Sequence, residues 1–122
     1  AAQELIGSIA VSGQSVVTSG TYERYFEQDG KRWHHILDPR SGYPLDNELD
    51  SVTVISADSL DGDIWTTLLY GLGVEKGCAA LRQRDDIEEI FVTKNRNVIL
   101  SSPQRIRFQL RDSGYQITDC TA

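Results

Sequence analysis

Apolar and polar residues alternate with a two-residue period along most of this chain, and one block near the middle departs from it. From Ile6 to Thr18, the residues Ile6, Ile9, Val11, Val16 and Val17 are set among small and polar positions, with Gly7 and Gly13 as punctuation. That pattern predicts one or two strands. Ser19-Gly20 then breaks it. Tyr22 to Glu27 reads as a strand, and Gln28-Asp29-Gly30-Lys31 as a hairpin turn, because Asp-Gly tolerates the positive φ that such turns need. Arg32 to Leu37 is the return strand. Asp38 to Asp50 reads as a loop held by Pro39, Gly42 and Pro44. Leu49 to Ser56 alternates cleanly and is a strand.

The period then changes. Ile64, Leu68, Leu69 and Leu72 recur at helical spacing, Asp58 or Ser59 can cap the helix, and acidic residues fill its first turn, where the dipole favours them. Gly71 and Gly73 end it. Val74 to Arg84 predicts a second helix with Ala79, Ala80 and Leu81 on its apolar side. Ile87 to Val92 and Asn97 to Leu100 form a hairpin around Lys94-Asn95-Arg96, and Ile106 to Leu110 with Tyr115 to Thr118 make a last strand pair. The expected class is α+β, a mostly antiparallel sheet packed against a helical pair in a single domain over residues 1–122.

Composition narrows the function. A length of 122 residues fits one core. The net charge of −6, with Lys and Arg scattered, argues against a nucleic-acid surface, which needs a basic stripe. No run approaches the ~20 apolar residues of a membrane span, and no stretch reads as a signal peptide. The chain lacks Met and begins Ala-Ala, as a processed or trimmed product would, so its N-terminus gives no address. Cys78 and Cys120 are too few for a disulfide framework or a zinc site, and a single bridge between them stays open.

Two polar clusters carry the candidate chemistry. The first is His34-His35-Ile36-Leu37-Asp38-Pro39-Arg40-Ser41-Gly42-Tyr43-Pro44, which gathers an imidazole, a carboxylate and a guanidinium around a turn. Alternation puts His34 and His35 on opposite faces, so one of them can serve a given pocket as general base. Arg40 could clamp a phosphate. The plainer alternatives are a strand-end histidine bonded to backbone and an ordinary Asp-Pro turn. In the second cluster Asp63 and Thr67 lie at i, i+4 and share one helix face, with Thr66 beside them. A carboxylate and a hydroxyl are hard oxygen donors suited to Mg²⁺ or Ca²⁺ and poor for zinc. On spacing alone, capping acids and a solvated threonine explain them as well. Thr18-Ser19-Gly20 offers hydroxyls and a glycine at a strand end, where a ligand could approach the backbone.

The order and spacing of these segments resemble a known family. Ser15-Val16-Val17-Thr18-Ser19-Gly20-Thr21-Tyr22, then His35 to Pro44, then Ser51-Val52-Thr53-Val54-Ile55, then Asp63-Ile64-Trp65-Thr66-Thr67-Leu68-Leu69 with Leu72-Gly73, look like the C-terminal part of ApbE-type flavin transferases. These FAD:protein FMN transferases were once called thiamine biosynthesis lipoproteins. The resemblance runs from about Ile6 to the end. It implies Mg²⁺-dependent transfer of FMN from FAD onto a Thr or Ser hydroxyl of an acceptor protein, with release of AMP. It implies Asp63 and Thr67 as metal ligands, Thr66 where some members carry another polar ligand, and Leu37 as a backbone contact to FAD. It also implies His35 as the base for the acceptor hydroxyl, with Arg40, Ser41 and Ser19 near the flavin donor.

Family members are much longer, and their N-terminal half contributes to the FAD pocket. Two alternatives therefore stand beside transfer: a flavin-binding module without transfer activity, and a FAD pyrophosphatase giving FMN and AMP. The expected partners are FAD and an acceptor flavoprotein subunit, with neither nucleic acid nor a membrane span in this chain, and with a homodimer left open. Members are often exported and lipid-anchored in bacteria, which implies an extracytoplasmic, membrane-associated address for the whole protein, the cytoplasm staying open.

Overall fold

The computed structural model describes residues 5–20, 24–27, 33–37 and 48–121. Among them the chain order is β1 (Leu5–Ala10), β2 (Ser15–Gly20), β3 (Arg24–Glu27), β4 (Trp33–Leu37), β5 (Leu49–Ser56), α1 (Ser59–Ala80), β6 (Glu88–Thr93), β7 (Asn97–Leu100), β8 (Arg107–Leu110) and β9 (Gln116–Asp119). The class is α+β as expected, with the strands divided between two sheets. A large sheet has the order β3-β2-β5-β6-β7-β9 and a small one the order β4-β1-β8. All pairings are antiparallel except β7 with β9.

Two apolar layers hold three structural layers together. Between the sheets, Ile6, Ile9 and Ile36 of the small sheet meet Val16, Ile55, Ile90 and Val92 of the large one. On the other face of the large sheet, Val52, Val54 and Phe91 pack against Leu69, Cys78 and Leu81 of the helix layer. Strand alternation produces this division: in β5, Val52 and Val54 face the helix while Thr53 and Ile55 face the small sheet. Each fully buried Val or Ile contributes about 1.5–3 kcal/mol relative to exposure. β5 therefore anchors both layers at once.

The helix layer is a broken helix. Within α1, Gly73 has φ 84° and ψ −178°, so the first segment ends at Leu72 and a second begins at Val74. Only glycine reaches that conformation cheaply. The new helix start is capped from outside, because the Val74 N–H donates to Glu48 Oε1 at 2.8 Å. The expected helical pair is thus present, its second member ending at Ala80 rather than at Arg84. The segments are pressed close to their neighbours: a Cβ on Gly62 would lie 2.7 Å from Val17 Cγ2, and one on Gly77 would lie 2.7 Å from the Phe91 ring. A disulfide joins Cys78 to Cys120, just beyond β9, settling what spacing left open.

Two pairings expected from sequence are corrected. β3 and β4, the described parts of the expected hairpin, do not pair with each other: β3 pairs with β2 in the large sheet and β4 with β1 in the small one. The last two strands also part, β8 joining β1 and β9 lying parallel to β7. Proximity in sequence favours pairing, but here the two members of each expected pair lie in different sheets. The turn assigned to Gln28–Lys31 lies outside the described residues. The β6–β7 hairpin is as expected, with Arg96 at φ 64° in its turn.

Candidate functional site

The start of α1 is fixed by its own sequence. Asp58 is the N-cap, and its Oδ1 accepts from the Leu60 and Asp61 N–H groups at 2.8 and 3.0 Å. Ser56 at the end of β5 donates its hydroxyl to the Asp58 carbonyl at 2.7 Å, which ties the strand end to the cap. Gly62 allows the first turn to lie directly on Val17 of β2. These contacts set where the next residue, Asp63, stands.

Asp63 and Thr67 follow one turn apart, as their spacing predicts. The main-chain carbonyl of Asp63 accepts two hydroxyls, from Thr66 at 3.0 Å and from Thr67 at 3.1 Å. The two threonines differ in surroundings. Thr66 is completely buried on the sheet side of the helix, whereas Thr67 is exposed. Asp63 is half-buried at the flank between them. Asp63 and Thr67 therefore share the accessible side, and Thr66 does not join them there. A threonine whose proton is directed at a carbonyl turns oxygen lone pairs elsewhere, which suits a hard cation. Among the described residues, no group of three or more His, Cys, Asp or Glu is set to hold a metal ion. The donor set is thus a carboxylate and a hydroxyl, which fits Mg²⁺ and does not fit zinc.

Ser19 lies in the layer beneath the helix. It pairs with Val52 across the β2–β5 ladder and shares a face with Val17, which touches Gly62. Its hydroxyl is buried and has no hydrogen-bond partner among the described residues. A buried orphan hydroxyl costs roughly 1–3 kcal/mol, so it marks a place where a polar ligand would be favourable. Thr18, its neighbour on the opposite face, is satisfied by Thr53 at 2.9 Å between the sheets.

The first sequence cluster is placed only in part. His35 is exposed and pairs with Ser8, on the face of the small sheet opposite the buried Ile36. Asp63 and Thr67 belong to the helix layer, beyond the large sheet. The fold therefore puts His35 on one outer side of the two-sheet stack and the Asp63–Thr67 pair on the other. Leu37 ends β4 and pairs with Leu5 through the backbone. Arg40 and Ser41 lie outside the described residues.

One ionisable group of note was not among the sequence candidates. Glu89 in β6 is fully buried, and neither carboxylate oxygen has a hydrogen-bond partner among the described residues. Burial, and secondarily the Glu88 charge, pushes its carboxyl up to about 8. Glu88, on the other face, is satisfied by the Ser101 hydroxyl at 2.7 Å and by Arg105 at 3.5 Å. The signal was present: alternation places Glu89 on the same strand face as Phe91. At the surface, Arg84 holds Asp86 in a two-pronged bond at 2.8 Å, lowering that carboxyl to about 2, and stacks 5.8 Å from the Trp65 ring centre.

The chain is similar to known proteins. Residues 1–91 match the sequence profile of the ApbE family. A protein of Klebsiella pneumoniae (strain 342) named FAD:protein FMN transferase is 85% identical over 121 residues, which is 99% of this chain and 38% of that protein. Proteins of the same name from Treponema pallidum (strain Nichols) and Escherichia coli (strain K12) are 39% and 41% identical, over 88% and 70% of this chain and 30% and 24% of their own lengths. The chain thus spans under two fifths of the relatives it matches.

Proposed function

This chain belongs to the ApbE family, and from that premise we propose that it is the part of a FAD:protein FMN transferase that engages the flavin donor's phosphates through a hard metal ion. The observation that carries the reading is the Asp63–Thr67 pair: two oxygen donors one helical turn apart, on the accessible side of α1, positioned by the Asp58 cap. Asp63 and Thr67 would hold Mg²⁺, which when bound neutralises phosphate charge as an acceptor hydroxyl attacks phosphorus. That hydroxyl belongs to a Thr or Ser of an acceptor flavoprotein, and AMP leaves. An acidic chain binding an anionic dinucleotide needs such a cation, since without it like charges repel.

The chain's own residues supply binding and orientation. Ser19 would give its unpartnered hydroxyl to the donor nucleotide. Thr66 braces the Asp63 carbonyl from below and keeps the turn rigid. His35, exposed on the outer face of the small sheet, is the proposed base that takes the acceptor hydroxyl's proton. A base role for it would require the acceptor to reach the outer face of the small sheet. Arg40, Ser41 and the Leu37 backbone remain proposed donor contacts by resemblance.

The test is Asp63→Ala in the full-length K. pneumoniae relative at the aligned position, with FAD, Mg²⁺ and an acceptor protein. Loss of protein-bound FMN by at least about 100-fold, with the fold retained, is the expected result. Undiminished Mg²⁺-dependent transfer would overturn it. The products separate the alternatives: free FMN with AMP identifies a pyrophosphatase, and FAD binding without AMP a binding module.

A further inference from the structure

The end of the helix layer opposite Asp63 and Thr67 holds chemistry that the proposed flavin transfer does not use. The Cys78–Cys120 bridge forms part of the wall of two cavities, of about 600 and 720 Å³. Its two ends differ. Cys78 is 6% exposed and belongs to the apolar layer under the helix, whereas Cys120 is only partly buried. Cys120 follows β9, a four-residue strand at the edge of the large sheet. Glu89 lines the smaller cavity together with both cysteines. It is fully buried, and its carboxyl has no hydrogen-bond partner among the described residues. The other charged groups of that cavity are engaged or stand at its mouth. Ser101 and Arg105 hold Glu88, Arg84 holds Asp86, and Asp119 accepts from the Thr121 N–H at 2.9 Å. Arg82 and Asp85 are exposed.

We propose that Cys78–Cys120 is a thiol–disulfide exchange site for a dithiol reductant, with the Glu89 carboxyl as proton donor to the sulfur that leaves. Accessible bridges are the labile ones, and sealed bridges are structural. The incoming thiolate attacks the more accessible sulfur, that of Cys120. The S–S bond breaks, and its electron pair passes to Cys78 Sγ. A thiolate in an apolar layer is disfavoured by lost hydration, so its departure calls for a proton there. Burial keeps Glu89 protonated up to about pH 8, so it carries that proton at neutral pH. It gives the proton to Cys78 Sγ and regains one from solvent. The second thiol of the reductant then attacks the mixed disulfide, and Cys120 leaves, taking a proton from solvent. Two electrons have passed: the dithiol has become a disulfide, and Cys78 and Cys120 are thiols. The two protons they gain balance the two that the dithiol gave up to solvent. The end of β9 is then no longer tied to the helix layer. None of these steps involves the Asp63–Thr67 pair.

The experiment follows reduction of the bridge by dithiothreitol between pH 6.5 and 9.5, without FAD or Mg²⁺, in the full-length protein that carries this sequence. Thiols are trapped with iodoacetamide, and the Cys78 and Cys120 peptides are quantified by mass. Each rate is divided by the thiolate fraction of the reductant. The corrected rate should fall about tenfold or more as pH rises through about 8, where Glu89 loses its proton. Lower stability at high pH would speed reduction, so it cannot mimic this fall. In Glu89→Gln the corrected rate should be about tenfold lower at pH 6.5 and independent of pH. A flat corrected rate in the unmodified protein would overturn the proposal, and so would an unchanged decline in the variant. Reduction no faster than global unfolding would also overturn it, by marking the bridge as sealed. The unmodified profile needs no substitution, so it decides the matter even where Glu89→Gln does not fold.

Discussion

Glu89 stands directly opposite Val54 in the β5–β6 ladder, so its carboxyl points into the same apolar layer as the valine, beneath α1. The pairing gives stability a pH dependence of definite sign. Below the ordinary glutamate value of 4.5, the carboxyl is protonated both folded and unfolded and has no effect. Between there and about 8, the unfolded chain loses the proton while the folded one keeps it. Stability therefore falls as pH rises through that window, by up to roughly 5 kcal/mol in all. Glu89→Gln should remove most of this slope. Urea unfolding at pH 5, 7 and 8.5 checks it, and an unchanged slope in the variant would assign the dependence to other groups.

The two threonines of α1 should separate stability from metal binding. Thr66→Val keeps the shape of a fully buried side chain and removes its bond to the Asp63 carbonyl. A loss of about 1 kcal/mol is expected, with a modest effect on Mg²⁺ affinity. Thr67→Val touches an exposed position, so unfolding should change by under about 0.5 kcal/mol while Mg²⁺ binding weakens about tenfold. Calorimetric Mg²⁺ titration of the full-length protein, paired with denaturation, reads both. A stability loss from Thr67→Val with unchanged affinity would contradict the assignment.

The Cys78–Cys120 bridge closes a loop across a sequence separation of 42 and fastens the end of the helix layer to the strand β9 side of the sheet. Its removal should cost about 3–4 kcal/mol, chiefly through the freed unfolded chain. Thiol titration in denaturant should find no free thiol before reduction and two after it. The reduced protein should then unfold at lower denaturant. Two thiols in the untreated protein would show that the bridge is not formed in solution.

The close approach of α1 to the sheet predicts that its two sheet-facing glycines, Gly62 and Gly77, tolerate no side chain. Gly77→Ala would drive a methyl to 2.7 Å from the Phe91 ring, and Gly62→Ala one to 2.7 Å from Val17. Each should cost about 1–3 kcal/mol. Gly71→Ala meets nothing within 4 Å and should be neutral or slightly stabilising. Thermal unfolding of the three variants checks the order, and equal melting temperatures for Gly77→Ala and Gly71→Ala would refute the packing.

Much of this protein was legible along the chain. The clean alternation over Leu49 to Ser56 gave the bounds of β5, and the change of period after it gave the helix, its Asp58 cap and its interruption at Gly73. These features are local: they depend on side-chain alternation, capping chemistry and the conformations open to glycine, all of which a short segment carries. The i, i+4 placement of Asp63 and Thr67 is of the same kind. Which strand pairs with which was not local. β3 and β4 are neighbours in sequence yet lie in different sheets, one paired with β2 and the other with β1. Tertiary structure alone also decided that Thr66 points inward and Thr67 outward, that His35 lies across two sheets from them, and that Glu89 is sealed under the helix. Periodicity marks which residues share a face, but only packing decides whether that face meets the core, the solvent or another part of the protein. That is why Ile64, Leu68 and Leu72, from the apolar spacing that announces α1, turn out to lie on its exposed side.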